Sequence, residues 1–372
     1  MHILYGVVGE GMGHATRSAV VIAHLLDQGH LVRVVVSGRA HAFLQQRFAA
    51  HPRCDLQEIQ GLGFAMDGME VDLEATILEN IERAPEGLLR NLLAYTKVVQ
   101  SGPPPEAVIS DFESWAWLYA RNHFLPVVSL DNMQVLNRCR HPPEVVADES
   151  FQLAKLAVKL KLPGAWHYLV TSFFFPEVRK PRTTLVPPIL RPEILAARRE
   201  PGDHVVVYQA AAALTAWLPV LATLPFRFRV YGSGREGVEG NLDLRPFSAQ
   251  GFVDDLRTAR AVLAGGGFSL MSEAVHLGVP YFAVPLGQQY EQTLNARYLC
   301  WLGYGDWAPA PERERLLRFL VSAEDCARAL NRYPRQDNSL ALACVDELLQ
   351  RIAAGEPRPD RLANEGMACW EG

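Results

Sequence analysis

The chain has 372 residues and a formal net charge of −5; 49% of its residues are hydrophobic and 21% are charged. This length exceeds what one compact core usually holds, so two domains are expected. The negative net charge argues against a protein that binds nucleic acid mainly through phosphate contacts.

The features that report on cellular compartment favour a soluble, cytoplasmic protein. The segment Met1–Val8 lacks the basic start of a signal peptide, and no apolar run approaches the roughly 20 residues of a transmembrane helix. The cysteines show neither Cys-x-x-Cys nor zinc-binding spacing, so we expect reduced thiols. They are Cys54, Cys139, Cys300, Cys326, Cys344 and Cys369.

The N-terminal residues predict a β-α-β unit. His2–Val8 is an apolar run without alternation, which is typical of a buried parallel strand. The glycine loop Gly9–Gly13 follows, and apolar residues then recur at helical spacing over Ala15–Leu26, with Gly29 where a helix would end. Leu31–Val36 has the β-branched composition of a second strand.

Two later strands of this half end in aspartate. Ala107–Ser110 leads into Asp111, and Pro126–Leu130 leads into Asp131. Polar residues at the ends of strands that precede helices are typical of a doubly wound sheet, where ligands gather at the carboxyl ends.

A proline-rich stretch, Val186–Pro192, is predicted to link this half to a second α/β series. The strands of that series are expected at His204–Tyr208, Phe228–Tyr231, Ala261–Ala264 and Tyr281–Val284. We therefore predict an α/β protein with an N-terminal domain at 1–188, a C-terminal domain at 189–355 and a tail at 356–372. A cleft should lie between the carboxyl ends of the two sheets.

The strand at Ala261–Ala264 begins the most informative block of the chain. Gly265–Gly267 follow it and allow the backbone to approach a ligand closely. The next helix offers unpaired N–H groups and the positive end of its dipole, which suit a diphosphate. Glu273, further along that helix, could accept hydrogen bonds from a pair of sugar hydroxyls.

This block resembles the donor site of B-type glycosyltransferases, specifically family 28 and the related UDP-glycosyltransferases. The resemblance is clear over residues 246–303 and weaker at the N-terminus. It rests on Gly251-Phe252-Val253-Asp254-Asp255-Leu256, Gly265–Gly267, Ser272-Glu273-Ala274, Gly278-Val279-Pro280, Pro285 and Glu291-Gln292-x-x-Asn295-Ala296. It implies two Rossmann-like, doubly wound domains that face each other across a cleft.

The resemblance also implies a role for each donor-site residue. The backbone near Phe252 would pair with the edge of uracil, and Gly266, Gly267 and Ser269 would hold the pyrophosphate. Glu273 would bind the ribose hydroxyls, while Glu291 and Gln292 would bind hydroxyls of the donor sugar. The alternative is that the glycines form only a tight turn and that Glu273 is a solvated helix residue.

The N-terminal motif Gly9-Glu10-Gly11-Met12-Gly13-His14 is not a dinucleotide fingerprint, because His14 stands where the third glycine is needed. It resembles the acceptor side of the same transferases, in which this histidine often serves as the general base. Imidazole can accept a hydroxyl proton near neutral pH, and Asp111 could orient it. The alternative is that His14 caps the helix or touches the acceptor without transferring a proton.

The remaining residues of this motif are assigned to the acceptor or a phosphate. Gly11 and Gly13 would let the loop approach a ligand. Arg17, about one helical turn from His14, could meet an anionic acceptor group, and a surface salt bridge is the competing interpretation.

Two absences in the sequence indicate the reaction type. There is no Asp-x-Asp pair to chelate a divalent ion, so no metal and no cofactor are expected, and the helix at Gly266–Ser269 would stabilise the leaving diphosphate. Retaining members of the fold carry a second glutamate where this chain has Gly265. We therefore expect an inverting, metal-independent transfer from a nucleoside diphosphate sugar, most simply a UDP-sugar, to a hydroxyl-bearing acceptor, with no nucleic acid partner.

The stretch Phe151–Leu162 is basic and amphipathic, so contact with a membrane or a lipid-linked acceptor at the inner membrane face is one interpretation. An ordinary helix with a solvated lysine edge is favoured over it.

Two other functions fit parts of the pattern. A non-hydrolysing UDP-N-acetylhexosamine 2-epimerase shares the donor helix, but its following loop differs from Leu286–Gln292 here. A non-catalytic nucleotide-sugar-binding protein is the second alternative, and the intact pair of His14 and Asp111 argues against it.

Overall fold

The computed structural model describes residues 1–9, 11–61, 65–67, 70–146, 148, 150–287 and 289–363; for 65–67 and 70–85 it describes the backbone alone. Three sequence-based assignments therefore lie outside the described residues. They concern Glu10 of the N-terminal glycine motif, Cys369, and the predicted tail from residue 364 onward.

The first domain is built on a parallel sheet in the order β3-β2-β1-β6-β7-β8-β9. Its strands are β1 (His2–Val7), β2 (Leu31–Val36), β3 (Cys54–Glu58), β6 (Ala107–Asp111), β7 (Val127–Asp131), β8 (His167–Thr171) and β9 (Thr183–Val186), while β4 (Ala65–Asp67) and β5 (Glu70–Asp72) form a separate antiparallel pair. The central strands are buried on both faces, which explains their continuous apolar runs.

Helices cover both faces of this sheet. The helices of the first domain are α1 (Met12–Asp27), α2 (Gly38–Phe48), α3 (Leu73–Gln100), α4 (Ser114–Asn122), α5 (Val135–Arg138) and α6 (Ser150–Lys161). α1 and α2 pack on one face, while α3, α4 and α6 contribute Ala94, Ala116 and Val158 to the core on the other. The predicted first helix is confirmed, and Gly29, with a φ of 86°, follows its end.

The second domain has a sheet in the order β12-β13-β11-β10-β14-β15-β16, in which only the β12–β13 pairing is antiparallel among the described strands. Its strands are β10 (His204–Tyr208), β11 (Arg227–Tyr231), β12 (Gly237–Glu239), β13 (Leu242–Arg245), β14 (Ala261–Ala264), β15 (Tyr281–Ala283) and β16 (Gly305–Trp307). Its helices, with the short linker helix α7, are α7 (Pro192–Ala196), α8 (Ala211–Leu221), α9 (Ala249–Thr258), α10 (Phe268–Leu277), α11 (Tyr290–Trp301) and α12 (Arg313–Leu330).

The last helix, α13 (Ser339–Ala353), returns to the first domain. Its apolar residues, among them Leu348, belong to the same core as Ile22 of α1. His24 Nε2 of α1 lies 2.8 Å from Asp346 Oδ1 of α13. The C-terminal domain was predicted to run to residue 355, and this helix lies within those bounds although it packs on the N-terminal sheet.

The chain therefore crosses between the domains twice, and the two crossings are tied together. The backbone N–H of Leu190 donates to Asn338 Oδ1 at 2.8 Å, and Asn338 Nδ2 donates back to the Leu190 carbonyl at 2.7 Å. The predicted linker at residues 186–192 thus lies beside the segment that leads into α13.

Candidate functional site

The glycine turns that follow β1 and β14 meet in the cleft between the domains. Gly11, with a φ of 81°, precedes α1, and Gly267 precedes α10. A Cβ atom built on Gly13 would lie 2.4 Å from Ser269 Oγ, so the first turns of α1 and α10 are in direct contact. The structure thus brings together predicted site residues from both halves of the chain.

His14, in the first turn of α1, pairs with Asp111 at the end of β6. His14 Nδ1 lies 2.8 Å from Asp111 Oδ1, and Ser18 Oγ donates to Oδ2 of the same carboxylate at 2.8 Å. Burial alone would raise the pKa of Asp111, but the charges of Arg17 and His14 outweigh it and lower this pKa to about 2. Asp111 is therefore a carboxylate at neutral pH and favours the tautomer of His14 in which Nδ1 carries the proton, although Arg17 Nη2 also lies 2.9 Å from Nδ1. In that tautomer Nε2 is the nitrogen that can accept a proton.

Arg17 does not lie where the sequence suggested. It is 3% exposed and is neither a surface residue nor open to an acceptor. Its Nε donates to Asp111 Oδ2 at 3.1 Å, and its Nη1 donates to Asn132 Oδ1 at 2.9 Å. Helical spacing placed Arg17 near His14 correctly, but the buried carboxylate of Asp111 draws the guanidinium inward, where it positions the pair.

A chain of hydrogen bonds then crosses the cleft from Arg17 to the second domain. Asn132, which follows β7, donates through Nδ2 to Glu291 Oε1 at 2.8 Å. Asn295 donates to the same oxygen at 2.6 Å and to the Gly266 carbonyl at 3.0 Å. Burial raises the pKa of Glu291. Within the described residues these bonds reach only Oε1 of Glu291.

Gln292 holds the glycine turn in place. Its Oε1 accepts the N–H of Gly266 at 3.0 Å and the N–H of Leu286 at 3.1 Å. Gln292 was expected to bind the donor sugar and Gly266 the pyrophosphate; in the structure the Gly266 N–H and Gln292 Oε1 bind each other, and the two ligand contacts stay predictions. Gln292 Nε2 in turn donates to Gln289.

The N-terminus of α10 remains open to a ligand. Gly267 is its N-cap residue, and no side chain caps the helix. A Cβ built on Gly267 would meet nothing within 4 Å, unlike one built on Gly266. The first-turn N–H groups, including that of Ser269, are therefore the groups of the predicted phosphate cradle that the fold leaves unoccupied.

Glu273 is buried and paired, which the sequence did not indicate. Arg191, at the end of the linker, donates Nε to Oε1 at 2.7 Å and Nη2 to Oε2 at 2.8 Å. Both carboxylate oxygens are therefore held in a fork, and each retains one lone-pair direction for a further donor. A ribose would meet the pair of Glu273 and Arg191 and not a solvated glutamate.

Replacing Arg191 by methionine is expected to lower the free energy of unfolding by about 3–5 kcal/mol, because Glu273 would be left buried without its partner. Urea unfolding measures the loss. The matched control is the double substitution Arg191→Met with Glu273→Leu, which removes both charges and should regain most of the stability. Equal losses in the single and the double variant would contradict this account.

The pairing of uracil with the backbone near Phe252 stays a prediction, but the N–H of Phe252 itself is already engaged. It lies inside α9, where its N–H donates to the Ser248 carbonyl at 2.8 Å. Its buried ring packs on Tyr208, at the carboxyl end of β10, and on Phe247. Phe247 is 65% exposed in the loop before α9, so it offers a free aromatic face that the buried ring of Phe252 does not.

Sequence reasoning missed a buried amide beside the glycine turn. Gln209 directly follows β10, is 94% buried, and its Nε2 has no hydrogen-bond partner among the described residues. Its Oε1 lies 4.0 Å from a Cβ built on Gly265. The available signal was a polar residue at the end of a predicted strand, the same signal that identified Asp111.

Two absences hold for the described part of the chain. It contains no group of three or more His, Cys, Asp or Glu side chains arranged to hold a metal ion. None of its helices is both long and apolar enough to cross a lipid bilayer.

The chain is similar to known glycosyltransferases in sequence pattern and in fold. The family model for glycosyl transferase family 1 matches residues 1–323. No curated protein sequence matches the chain. A UDP-glucosyltransferase from Polygonum tinctorium, capable of glucosylating indoxyl, is similar in structure with a TM-score of 0.66 at 16% identity, over 95% of this chain and 98% of that one.

Two further solved structures show the same fold. The calicheamicin glycosyltransferase CalG4 has a TM-score of 0.63 at 18% identity, over 95% of this chain and 99% of its own. MurG of Acinetobacter baumannii has a TM-score of 0.58 at 18% identity, over 94% of this chain and 99% of its own. The predicted architecture of two Rossmann-like domains across a cleft is confirmed.

Proposed function

The chain belongs to glycosyl transferase family 1, and from that premise we propose that this glycosyltransferase moves a sugar from a UDP-sugar to an acceptor hydroxyl with inversion and without a metal ion. The observation that carries the proposal is the contact between Gly13 and Ser269, because it sets the His14–Asp111 pair opposite the open end of α10. A base and a leaving-group site on opposite sides of one cleft are what a single displacement requires.

His14 acts as the general base in this proposal. Asp111 holds the imidazole by Nδ1, so Nε2 accepts the proton of the acceptor hydroxyl. The acceptor oxygen then forms its bond to the anomeric carbon while the bond from that carbon to the diphosphate oxygen breaks. The proton ends on His14 and the electron pair on the diphosphate, so atoms and charges balance.

The second domain stabilises the departing diphosphate. The first-turn N–H groups of α10 and its positive dipole end face the cleft, and the surface at Gly267 is open. The side chain of Gln209, whose Nε2 has no hydrogen-bond partner among the described residues, lies beside the same turn. These groups would stabilise the negative charge of the leaving diphosphate, which in other transferases is done by a divalent cation. This supports a metal-independent reaction.

The donor's base and sugar are assigned from the surrounding side chains. The exposed ring of Phe247 offers a stacking face next to Tyr208 at the carboxyl edge of the second sheet. Glu291, whose Oε2 takes no part in the bonds to Asn132 and Asn295, would accept a hydrogen bond from a sugar hydroxyl. Uracil is supported by the similarity to a UDP-glucosyltransferase, and inversion by Gly265 at the place of a second glutamate.

The proposal is tested by ligand-dependent melting followed by product analysis. UDP should raise the melting temperature more than TDP or GDP, since a ligand that binds only the native state stabilises it. Slow hydrolysis of the bound UDP-sugar, with water as the acceptor, should release the sugar with inverted anomeric configuration by NMR, and EDTA should not change the rate.

Three results would count against this function. Release of the sugar with retained configuration would overturn inversion, and loss of activity in EDTA would overturn metal independence. Interconversion of UDP-N-acetylglucosamine in the absence of any acceptor would indicate an epimerase instead.

A further inference from the structure

Asn132 joins the two halves of the site. It directly follows β7 and is 5% exposed. Its Oδ1 accepts a hydrogen bond from Arg17 Nη1 of the first domain at 2.9 Å, and its Nδ2 donates to Glu291 Oε1 of the second domain at 2.8 Å. A guanidinium can only donate, so the amide oxygen faces Arg17 and the amide nitrogen faces Glu291. The amide therefore has one orientation, in which both bonds are made together.

The first domain fixes Asn132 without help from the second. The carboxylate of Asp131 accepts the N–H of Gln134 at 2.8 Å and the hydroxyl of Ser129 at 2.7 Å, so the turn that carries Asn132 is tied to β7. Arg17, which binds the amide oxygen, is itself buried at 3% exposure. Asn132 therefore offers its Nδ2 to the cleft in a fixed direction.

Two residues connect Asn132 to the proposed base. Arg17 donates Nε to Asp111 Oδ2 at 3.1 Å, and Asp111 Oδ1 lies 2.8 Å from His14 Nδ1. One end of the guanidinium is thus held at Asn132 and the other at Asp111. Because the guanidinium is planar and rigid, a displacement of Asn132 turns the whole group and moves the carboxylate that orients His14.

Glu291 continues the connection into the second domain. It lies in the first turn of α11 and also accepts a hydrogen bond from Asn295 at 2.6 Å, and Asn295 donates to the Gly266 carbonyl at 3.0 Å. Burial raises the pKa of Glu291, against the hydrogen bond from Asn295 and the charges of His14 and Arg17. The carboxylate proposed to bind the donor sugar therefore feels the groups of the proposed base directly.

Other contacts hold α11 against the first domain. Arg297 Nη2 donates to Asp148 Oδ2 at 2.5 Å, and the Tyr298 hydroxyl lies 2.8 Å from His141 Nδ1. With these contacts in place, loss of the bond that Asn132 makes across the cleft should not separate the domains. A variant of Asn132 can therefore report on alignment within the closed cleft.

We propose that Asn132 is a positioning residue that couples binding of the donor sugar at Glu291 to the alignment of the His14 base. The inference rests on the proposed function, which supplies both the base and the sugar. A sugar hydroxyl bound to Glu291 fixes this carboxylate, and the carboxylate fixes the amide of Asn132. The amide fixes the guanidinium that holds Asp111, so the base is best aligned when the donor is bound.

Replacing Asn132 by aspartate tests the coupling. The new carboxylate still accepts from Arg17, but at pH 8.5 it has no proton to donate to Glu291, so the bond across the cleft is lost. Hydrolysis is measured with UDP-glucose, UDP-galactose and UDP-N-acetylglucosamine, with water as the acceptor. The kcat should fall at least about ten-fold, because small misplacements of catalytic groups cost this much or more. The Kd for UDP, which carries no sugar, should stay near the wild-type value.

Asn137→Asp is the matched control. Asn137 is 3% exposed, its Oδ1 accepts from Lys180, and its Nδ2 donates to Gln134 Oε1 at 3.2 Å. It therefore also joins a cation to an oxygen acceptor, but within the first domain, and its variant should keep the wild-type kcat. Asn132→Leu, which removes both bonds without adding a charge, should lose at least as much kcat as Asn132→Asp.

A second comparison shows whether Asn132 acts through the base. In a His14→Ala background, Asn132→Asp should cause no further loss of kcat, whereas a loss of general structural origin would add to that of His14→Ala. Calorimetric titration with UDP and the melting temperature are measured for each variant, so that a change in kcat is read on folded protein that binds nucleotide.

Several results would overturn the inference. They are a wild-type kcat in Asn132→Asp, an equal loss in Asn137→Asp, and an undiminished loss in the His14→Ala background. Loss in Asn132→Leu alone would limit Asn132 to holding Arg17, without coupling to the donor. If the wild type hydrolyses none of the three UDP-sugars, the proposed function fails and the inference fails with it. If it does hydrolyse one and His14→Ala abolishes this, the proposed function stands whatever Asn132 shows.

Discussion

Replacing His14 by alanine is expected to lower kcat for sugar transfer by about 10²–10⁴-fold, the range that a positioned general base contributes. The affinity for UDP should stay near the wild-type value, because no contact of His14 with the α10 N-terminus is needed to hold the diphosphate. Initial rates with a UDP-sugar and calorimetric titration with UDP measure the two quantities separately.

A second histidine on the same helix provides the matched control. His24 also lies 2.8 Å from an aspartate, Asp346, and its side chain is 18% exposed against 19% for His14. His24→Ala removes a comparable pair far from the cleft and should leave kcat unchanged. Similar rates in His14→Ala and the wild type would contradict the assignment of the base.

Two adjacent glycines are expected to respond to alanine in different ways. A Cβ on Gly266 would lie 2.4 Å from the Gln292 carbonyl oxygen, so Gly266→Ala must displace backbone and should cost about 1–3 kcal/mol of stability. A Cβ on Gly267 meets nothing within 4 Å, and its φ of −64° suits any residue. Gly267→Ala should therefore unfold at the wild-type urea concentration.

UDP binding by the Gly267→Ala variant then tests whether the ligand contacts this residue. If the diphosphate lies against Gly267, the added methyl group of Gly267→Ala should weaken UDP binding in calorimetry while the melting temperature of the free protein is unchanged. Full UDP affinity in this variant would show that the ligand does not approach the turn at that point. An unchanged urea midpoint in Gly266→Ala would contradict the packing described for Gln292.

The fold was predictable because its signals are local. The apolar run His2–Val7 is typical of a buried parallel strand, and Gly29 marks the end of α1 without reference to the rest of the chain. The return of α13 was not predictable in this way. Nothing in the spacing of Leu340 or Leu348 tells which of two similar sheets the helix covers.

The sequence predicted where the site lies, but it did not predict the hydrogen-bond partners of several site residues. Placing Asp111 at a strand end and His14 in the neighbouring loop follows from parallel topology, and the structure has them 2.8 Å apart. The partners of Arg17, Glu273 and Gln292 depend on contacts between segments far apart in sequence, which spacing does not report.

The position of Phe252 shows a different limit. The residues Phe252-Val253-Asp254-Asp255 carry part of the family resemblance, yet helix α9 begins before them and buries the phenylalanine. Where a helix starts is among the least certain features of a sequence, and a shift of one turn moves a residue from a loop that faces ligand into a core.

The packing of α13 on the first domain has a consequence for the order in which the protein can be assembled during synthesis. The core that Ile22 shares with Leu348 is complete only after the last helix has left the ribosome. Domains generally fold as units as they emerge. Here the N-terminal unit must wait with one side of α1 uncovered while the entire second domain is translated, so the domain made first is the one finished last.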